Sequence, residues 1–521
     1  MSGAPKGRYI CDALYGIIYF PEFVWEVIPT IELQRLREVR LCNINSFCLT
    51  GGANINRYEH AIGTCYLALE CLKSWPALNP ITEDERRQLA IAALLHDTLN
   101  APLGHSIQYT ESKDGYEPEK HFKGAITEGH AEQYYYRQAQ LEPIFFGMNG
   151  NLIEKISKND FLPINNIISG KGRLGPLING TIDLDNIDNV YRFAYHLGIV
   201  RSGKNALELA KSLFIESGKL TVKQNAVPLL REWFDVRRKL YSFLLLNPEE
   251  FSAKCMLEEA FQFAKSQRVT YSWHDTDYAF LTELNKLPSA REIVREFLFS
   301  INNDLSKSIT KQALNDDISE AFKRKDYCLS PKVKIEDIDN GWKLTDKTKE
   351  YLIENVGDAF NVFKLVPRPF EISTTVRRLM AGDLYGCIGI FSSSKIEERS
   401  RFKDVMTKRA IENRASEIVR ALKGRFGTAT VIFHLIEDIN KTQRKIDIRT
   451  DQGNIIEIGK PLNRLLIGAF FRNQQLSMYS LPNSDEMGKI RSHIHKYLSS
   501  ILTDQGLTAI SLYEEAVMYT E

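Results

Sequence analysis

The stretch from Ala90 to His105 constrains this chain more than any other. Six apolar residues (Ala90, Ile91, Ala92, Ala93, Leu94, Leu95) run directly into a His96-Asp97 doublet. The chain then passes through Thr98-Leu99-Asn100-Ala101-Pro102-Leu103-Gly104 to a second histidine, His105. A helix apolar enough to be buried therefore carries an imidazole and a carboxylate inward at its end. Burying such groups is unfavourable unless they are paired, hydrogen-bonded or holding a metal. The helix is signalled upstream by Thr82-Glu83-Asp84-Glu85, a capping box in which Thr82 and Glu85 satisfy each other's backbone amides. Glu83 and Asp84 suit the positive end of that helix.

Further helices are spaced around it. Leu33 and Leu36 share a face within residues 31–41. A turn-rich segment, Thr50-Gly51-Gly52-Ala53-Asn54, precedes Arg57-Tyr58-Glu59-His60, which opens a helix with Ile62, Cys65, Leu69 and Leu72 on one side. His60 lies near its start, on the apolar face. Residues 106–120 are polar and predict a loop, and Glu128 to Glu132 begins another helix. Ile182 to Asp188 opens a helix in which Ile187, Val190, Tyr191, Ala194 and Leu197 recur at helical spacing until Gly198 stops it. The helical pattern continues from Val227 to about Leu287, where Pro288 breaks it.

Between residues 300 and 350 the composition shifts to Lys, Asp, Asn and Ser, which marks a domain boundary. Beyond it come strand signals: 430–433, 445–449 and 455–458, the last two joined by Asp451-Gln452-Gly453-Asn454 as a hairpin. Residues 465–471 and 476–481 add apolar segments, and Ser484 to Leu502 reads as a closing helix. The expected fold is mainly α, with a helical domain over 1–320 and a mixed α/β domain over 321–521 serving regulation or oligomerisation.

With 521 residues, 43% hydrophobic and 26% charged, the chain can bury a large core. A formal net charge of +1 gives no reason to expect nucleic-acid or membrane binding. The Lys-rich stretch 323–334 reads as a solvated connector. None of the eight cysteines forms a Cys-x-x-Cys pair, which predicts free thiols in a reducing compartment. The N-terminal residues show no signal-peptide core, and no apolar run is long enough to span a bilayer, so a cytoplasmic location is expected.

His60, His96, Asp97 and Asp185 are nitrogen and oxygen ligands drawn from three helices. Two imidazoles and two carboxylates suit a divalent ion such as Mn, Fe, Zn or Ni, and accommodate Mg. A metal there lets water ionise near neutral pH and neutralises phosphate charge. The plainer reading makes His60 and Asp185 helix-start residues that cap amides.

The order H…HD…D, in Asn56-Arg57-Tyr58-Glu59-His60, His96-Asp97 and Ile182-Asp183-Leu184-Asp185, resembles the HD-domain phosphohydrolases. Within them it is most similar to the deoxynucleoside triphosphate triphosphohydrolases. Gln34-Arg35-Leu36-Arg37, Pro102-Leu103-Gly104-His105, Asp185 to Gly198, Arg237 to Tyr241 and Thr276-Asp277-Tyr278 carry the likeness over roughly residues 30–290. The resemblance implies that His60, His96, Asp97 and Asp185 hold the metal. It implies that Arg57 contacts phosphate, that His105 and His130 line the triphosphate and assist proton transfer, and that Tyr241 lies near the sugar. It also implies a homo-oligomer and a role in nucleotide-pool control or antiviral defence, while a regulatory nucleotide and an oligomer interface are the two open roles for the C-terminal domain. Departures fall around the substrate. Asn100 stands where many relatives have a histidine, Asn186 and Asn189 where the family has Lys and Tyr, and Trp233 and Phe243 where it has Arg and His. Asn100 cannot act as an acid, but its amide can bond phosphate. Two other readings stay open: a phosphatase or phosphodiesterase acting on another nucleotide, and a catalytically weak nucleotide sensor.

Overall fold

The computed structural model describes residues 8–41, 54–77, 79–104, 152–266, 275–286, 334–338, 341–346, 349–356, 359–365, 372–395, 431–441, 443–471, 484–502 and 507–510. The predicted segments at 106–120, 128–132 and 476–481 lie outside them. The fold is mainly helical, with a mixed α/β portion toward the C-terminus.

The chain opens with a hairpin, β1 (Tyr9–Asp12) and β2 (Gly16–Tyr19), followed by short helices α1 (Glu22–Val27) and α2 (Ile31–Arg35). Two longer helices come next, α3 (Arg57–Lys73) and α4 (Glu83–Leu95). Each is started by its own residues: Asn56 Oδ1 accepts from Glu59 N at 2.9 Å, and Thr82 and Glu85 form the expected reciprocal cap. Then follow α5 (Lys158–Ile168), α6 (Leu184–His196) and α7 (Lys204–Ala210). Asp183 caps α6, accepting from Asn186 N at 2.7 Å, and Gly198 ends it at φ +76°. A hairpin, β3 (Leu213–Glu216) and β4 (Lys219–Val222), leads into the long α8 (Val227–Leu246). The apolar faces of these helices form one buried cluster that includes Ile62, Leu94, Leu95, Ile187 and Val190.

The C-terminal portion begins with α9 (Pro248–Ser266) and α10 (Asp277–Lys286). Strands β5 (Lys334–Ile338), β6 (Gly341–Asp346), β7 (Lys349–Val356) and β8 (Ala359–Leu365) form an antiparallel meander. The composition shift over 300–350, expected to mark a domain boundary, overlaps β5 and β6. Next are α11 (Ile372–Met380), β9 (Gly386–Ser393), β10 (Val431–Ile439), β11 (Ile446–Thr450), β12 (Ile455–Ile458), β13 (Asn463–Phe471), α12 (Ser484–Leu502) and β14 (Thr508–Ala509). One sheet runs in the order β10-β13-β9-β14. The period-2 alternation of a strand sends Leu466 and Phe470 to the side packed on α9 and α11. It sends Leu465, Ile467 and Phe471 to the side packed on α12. Gly468 is needed where the sheet meets α9, since a Cβ there would lie 2.6 Å from the Phe251 ring.

Apolar packing does not follow a cut at 320. The cluster built on α9, α10 and α11 already contains Leu246 and Leu103, the latter from the loop after the His-Asp doublet. In the other direction, Ile446, Ile448 and Ile458 of the β11–β12 hairpin join the first helical cluster. That hairpin pairs in parallel with β4 through Arg449↔Thr221 and Thr450↔Val222. Residues late in the chain thus pack against the lobe that holds the His-Asp motif. Five cysteines lie among the described residues, and all are free thiols. Among the described residues, no helix is long and apolar enough to cross a membrane.

Candidate metal centre

Three helix ends bring His60, His96, Asp97 and Asp185 together. His60 sits one turn into α3, His96 follows the last residue of α4, and Asp185 lies in the first turn of α6. The caps of α3 and α6 are Asn56 and Asp183. His60 and Asp185 are therefore released from capping and face each other. His60 Nε2 lies 3.1 Å from His96 Nε2 and 2.9 Å from Asp185 Oδ1. His96 Nε2 is 3.6 Å from Asp185 Oδ1. Asp97 completes the group, with oxygens 3.9 Å from His60 Nε2 and 3.8 Å from His96 Nε2. One ligand atom each from His60, His96 and Asp97 falls within 4.8 Å of the others.

The hydrogen bonds on the far side of each ring decide what this cluster can hold. His60 Nδ1 donates to Asp188 Oδ2 at 2.7 Å, and His96 Nδ1 donates to the Ala93 carbonyl at 2.8 Å. With the ring proton on Nδ1, each neutral imidazole presents a lone pair at Nε2. Two Nε2 atoms and two carboxylates then converge with acceptors only. Ligand atoms bound at about 2.1 Å and at right angles to each other lie about 3.0 Å apart, which matches the Nε2 pair. The donor set fits a divalent cation. Without one, the cluster favours protons. Burial opposes charge on His96, but Asp97 and Asp185 outweigh it and push its pKa up to about 10. Burial likewise opposes charge on His60, and hydrogen bonds to Asp185 and Asp188 raise its pKa nonetheless. Asp97 is buried and Asp185 half-buried; burial opposes charge on both, yet the nearby cations hold both below the usual carboxylate range.

A buried ionic chain fixes His60 from behind. Asp188 Oδ2 also accepts from Arg192 Nε at 2.9 Å, and Asp188 Oδ1 from Arg192 Nη2 at 3.0 Å. Arg192 Nη1 reaches Asp12 of the N-terminal hairpin at 2.9 Å. Arg192 and Asp188 are both 0% exposed, so the chain is desolvated throughout. Gly63 allows α3 and α6 this close an approach, since a Cβ there would lie 2.1 Å from Asp188 Oδ1 and 2.2 Å from Arg192 Nη2. The loop after the doublet is pinned as firmly. Arg35, fully buried, donates to the carbonyls of Thr98, Asn100 and Asp275 at 3.1, 2.7 and 2.8 Å. Asp277 accepts from Leu103 N and Arg40 N at 2.6 and 3.0 Å.

The expected substrate residues stand at different removes. Arg57 Nη1 is paired with Asp97 Oδ2 at 2.6 Å, and its buried Nε has no hydrogen-bond partner among the described residues. Asn100 is buried and donates its side-chain amide to Asp97 Oδ1, so it orients the carboxylate of a candidate ligand. Asn189 lies on α6 with an intermediate exposure. Tyr241 lies on α8 with the Arg237 guanidinium 4.1 Å from its ring centroid. His105 and His130 lie outside the described residues. The sequence reading missed the roles of Asp188, Arg192 and Arg35. A signal existed for the first two: Asp185, Asp188 and Arg192 fall at i, i+3 and i+7, on one face of a helix.

Comparison with known proteins agrees with this geometry. Residues 57–144 match the HD domain family model. Over 275 residues the chain is 22% identical to the deoxynucleoside triphosphate triphosphohydrolase SAMHD1 homolog of Dictyostelium discoideum, covering 50% of each chain. It is 24% identical over 260 residues to the uncharacterized protein YwfO of Bacillus subtilis, covering 50% of this chain and 54% of that one. A shorter stretch of 101 residues is 31% identical to the deoxynucleoside triphosphate triphosphohydrolase SAMHD1 of Bos taurus, covering 19% of this chain and 17% of that one. The chain spans about half the length of the first two relatives. By its motif, its helical core and these matches, the chain carries an HD domain and is similar to the SAMHD1-type triphosphohydrolases.

Proposed function

We propose that the protein is a metal-dependent hydrolase of deoxynucleoside triphosphates, releasing deoxynucleoside and triphosphate. The observation that carries this reading is the meeting of His60 Nε2, His96 Nε2, Asp97 and Asp185 in an acceptor-only cluster. These residues would hold a divalent ion (Mn, Fe, Mg, Zn or Ni), which supplies Lewis acidity at phosphorus-bound oxygen and a more acidic water. The chain's own residues do the rest. Asp188 and the Ala93 carbonyl keep both imidazoles oriented with their lone pairs inward. Arg57 and Asn100 hold Asp97 as an oriented carboxylate. The orphaned Arg57 Nε–H offers a donor to a phosphate oxygen where negative charge develops. His105 and His130 are the proposed acids for the departing oxygen, and Tyr241 and Asn189 the proposed neighbours of the sugar. A homo-oligomer, a regulatory nucleotide and a part in nucleotide-pool control or antiviral depletion of nucleotides belong to the same proposal. They rest on the resemblance to the SAMHD1 proteins.

The test is product analysis. Purified protein is incubated with each deoxynucleoside triphosphate and Mg, Mn or Fe, and the products are separated by ion exchange. Nucleoside with intact triphosphate is expected, and chelation should abolish it. Orthophosphate or a nucleoside monophosphate would transfer the protein to another branch of HD chemistry. Binding without turnover under every metal would make it a sensor.

A further inference from the structure

Two arginines from distant parts of the chain lie near enough to feel each other's charge, and one of them reaches the residues that lead into the first turn of α6, the turn that carries Asp185. Arg237 comes from α8 and is 4% exposed. Its Nη1 donates to the Lys441 carbonyl at 2.8 Å, and its guanidinium lies 4.1 Å from the Tyr241 ring centroid. Arg444 comes from the segment that enters β11, half-buried, 5.6 Å from the Trp233 ring centroid, with Nη2 donating to the Thr181 carbonyl. Trp233 in turn donates Nε1 to the Asn186 carbonyl at 3.3 Å. Arg444 therefore borders residues 181–186 directly, and Arg237, one turn along α8 from Trp233, is close enough to feel the charge of Asp183.

Neither Nε–H has an acceptor among the described residues, although both are buried. The two cations also repel each other. Burial and the neighbouring Arg237 lower the pKa of Arg444 to about 10, and burial lowers that of Arg237. The acid that both feel, Asp183, is already engaged by Asn186 N, Asn186 Nδ2 and Gly180 N. Asp438, which also faces Arg237, is paired with Arg464 at 2.8 Å. Two like charges, one buried and one half-buried, each with an orphaned Nε–H, are unfavourable unless an anion joins them. A guanidinium fork matches the oxygens of a phosphoryl group better than it matches a point charge.

We propose that Arg237 and Arg444 form a phosphate clamp for the polyphosphate tail of the nucleotide bound at the His60–His96–Asp97–Asp185 set. The inference rests on the hydrolase reading above and goes beyond it, because it makes the C-terminal part of the chain a component of the substrate site. The clamp and the cation ligands flank one helical turn, with Asp183 only two residues before Asp185. An anion that touches both must carry charge along its length, as a polyphosphate does. The β11–β12 hairpin, anchored by Ile446 in the helical core and by its pairing with β4, holds Arg444 in place.

The test uses full-length protein and inorganic triphosphate as the probe, with binding read by calorimetry at low and moderate salt, with and without Mg. Wild-type binding that weakens with salt is expected. Arg444→Ala should bind at least about tenfold more weakly, and Arg444→Lys, which keeps charge without the fork, should fall between. Mn affinity is measured in parallel and should be unchanged in Arg444→Ala, which separates loss of the clamp from damage to α6. Arg237→Gln gives the same reading from the other side. Wild-type protein that does not bind triphosphate, or variants that bind it as well as wild type, would overturn the clamp. If no deoxynucleoside triphosphate is hydrolysed but triphosphate binding still depends on Arg444, the hydrolase reading fails and the anion site stands. If hydrolysis proceeds with an unchanged KM in Arg444→Ala, the hydrolase reading stands and the clamp fails.

Discussion

Replacing Asp188 by Asn tests whether the ionic chain behind His60 matters to the metal centre. The change is nearly isosteric, so what it removes is charge. Asp188 is 0% exposed and serves His60 Nδ1 at 2.7 Å and two nitrogens of Arg192 at 2.9 and 3.0 Å. Removing one partner of a buried ion pair costs about 3–5 kcal/mol. Arg192 keeps Asp12 at 2.9 Å, which places the expected loss at the lower end, about 3 kcal/mol. The ring of His60 also loses the anion that fixes its tautomer, and loss of such an outer partner weakens metal binding about 10- to 100-fold. Two assays read these separately: calorimetric titration with Mn(II), and hydrogen exchange of the α3 and α6 amides. The reasoning is refuted by a variant that binds Mn(II) with wild-type affinity while its α3 and α6 amides exchange at wild-type rates.

Two further perturbations probe the other lobe. Gly468→Ala puts a Cβ 2.6 Å from the rings of Phe251 and Phe470, so it should destabilise the C-terminal sheet by about 1–3 kcal/mol in urea melts, with Mn(II) affinity unchanged. Glu250 is fully buried without a partner among the described residues, and burial pushes its pKa up to about 8, with Lys254 opposing and Glu249 adding to the rise. Below the ordinary carboxyl range both folded and unfolded chains hold the proton, and the group contributes nothing. From there to about pH 8 the folded chain keeps a proton that the unfolded chain has lost, so stability falls as pH rises and the full cost is reached above pH 8. Glu250→Gln should therefore flatten the decline between pH 5 and 8 and be the more stable form at pH 9; equal pH profiles for the two proteins would contradict the assignment.

Much of the helical lobe was legible because its signals are local. The Thr82–Glu85 box, the apolar run to Leu95 and the periodicity after Asp185 each lie within a turn or two of what they specify. The four candidate ligands were legible for the same reason, as polar groups placed where an apolar face should continue. The closing helix Ser484–Leu502 and the hairpin at 446–458 followed from short-range pattern as well. The meander of β5 to β8 was missed because its strands are rich in charged residues, as in Lys334–Ile338 and Lys349–Val356, and composition there reads as a domain boundary.

By itself, then, the sequence determined which helices form, where they start, and which imidazoles and carboxylates they carry. Tertiary structure alone decided that the late hairpin returns to β4 and that Leu103 packs into the second lobe. It also decided that Asp12, Arg192 and Asp188 line up behind His60, and that Arg444 reaches Thr181 across 263 positions. The physical reason is range. Caps and periodic faces act between residues a few positions apart, whereas pairing of buried charges is chosen by whichever distant group the packed backbone brings within hydrogen-bond reach.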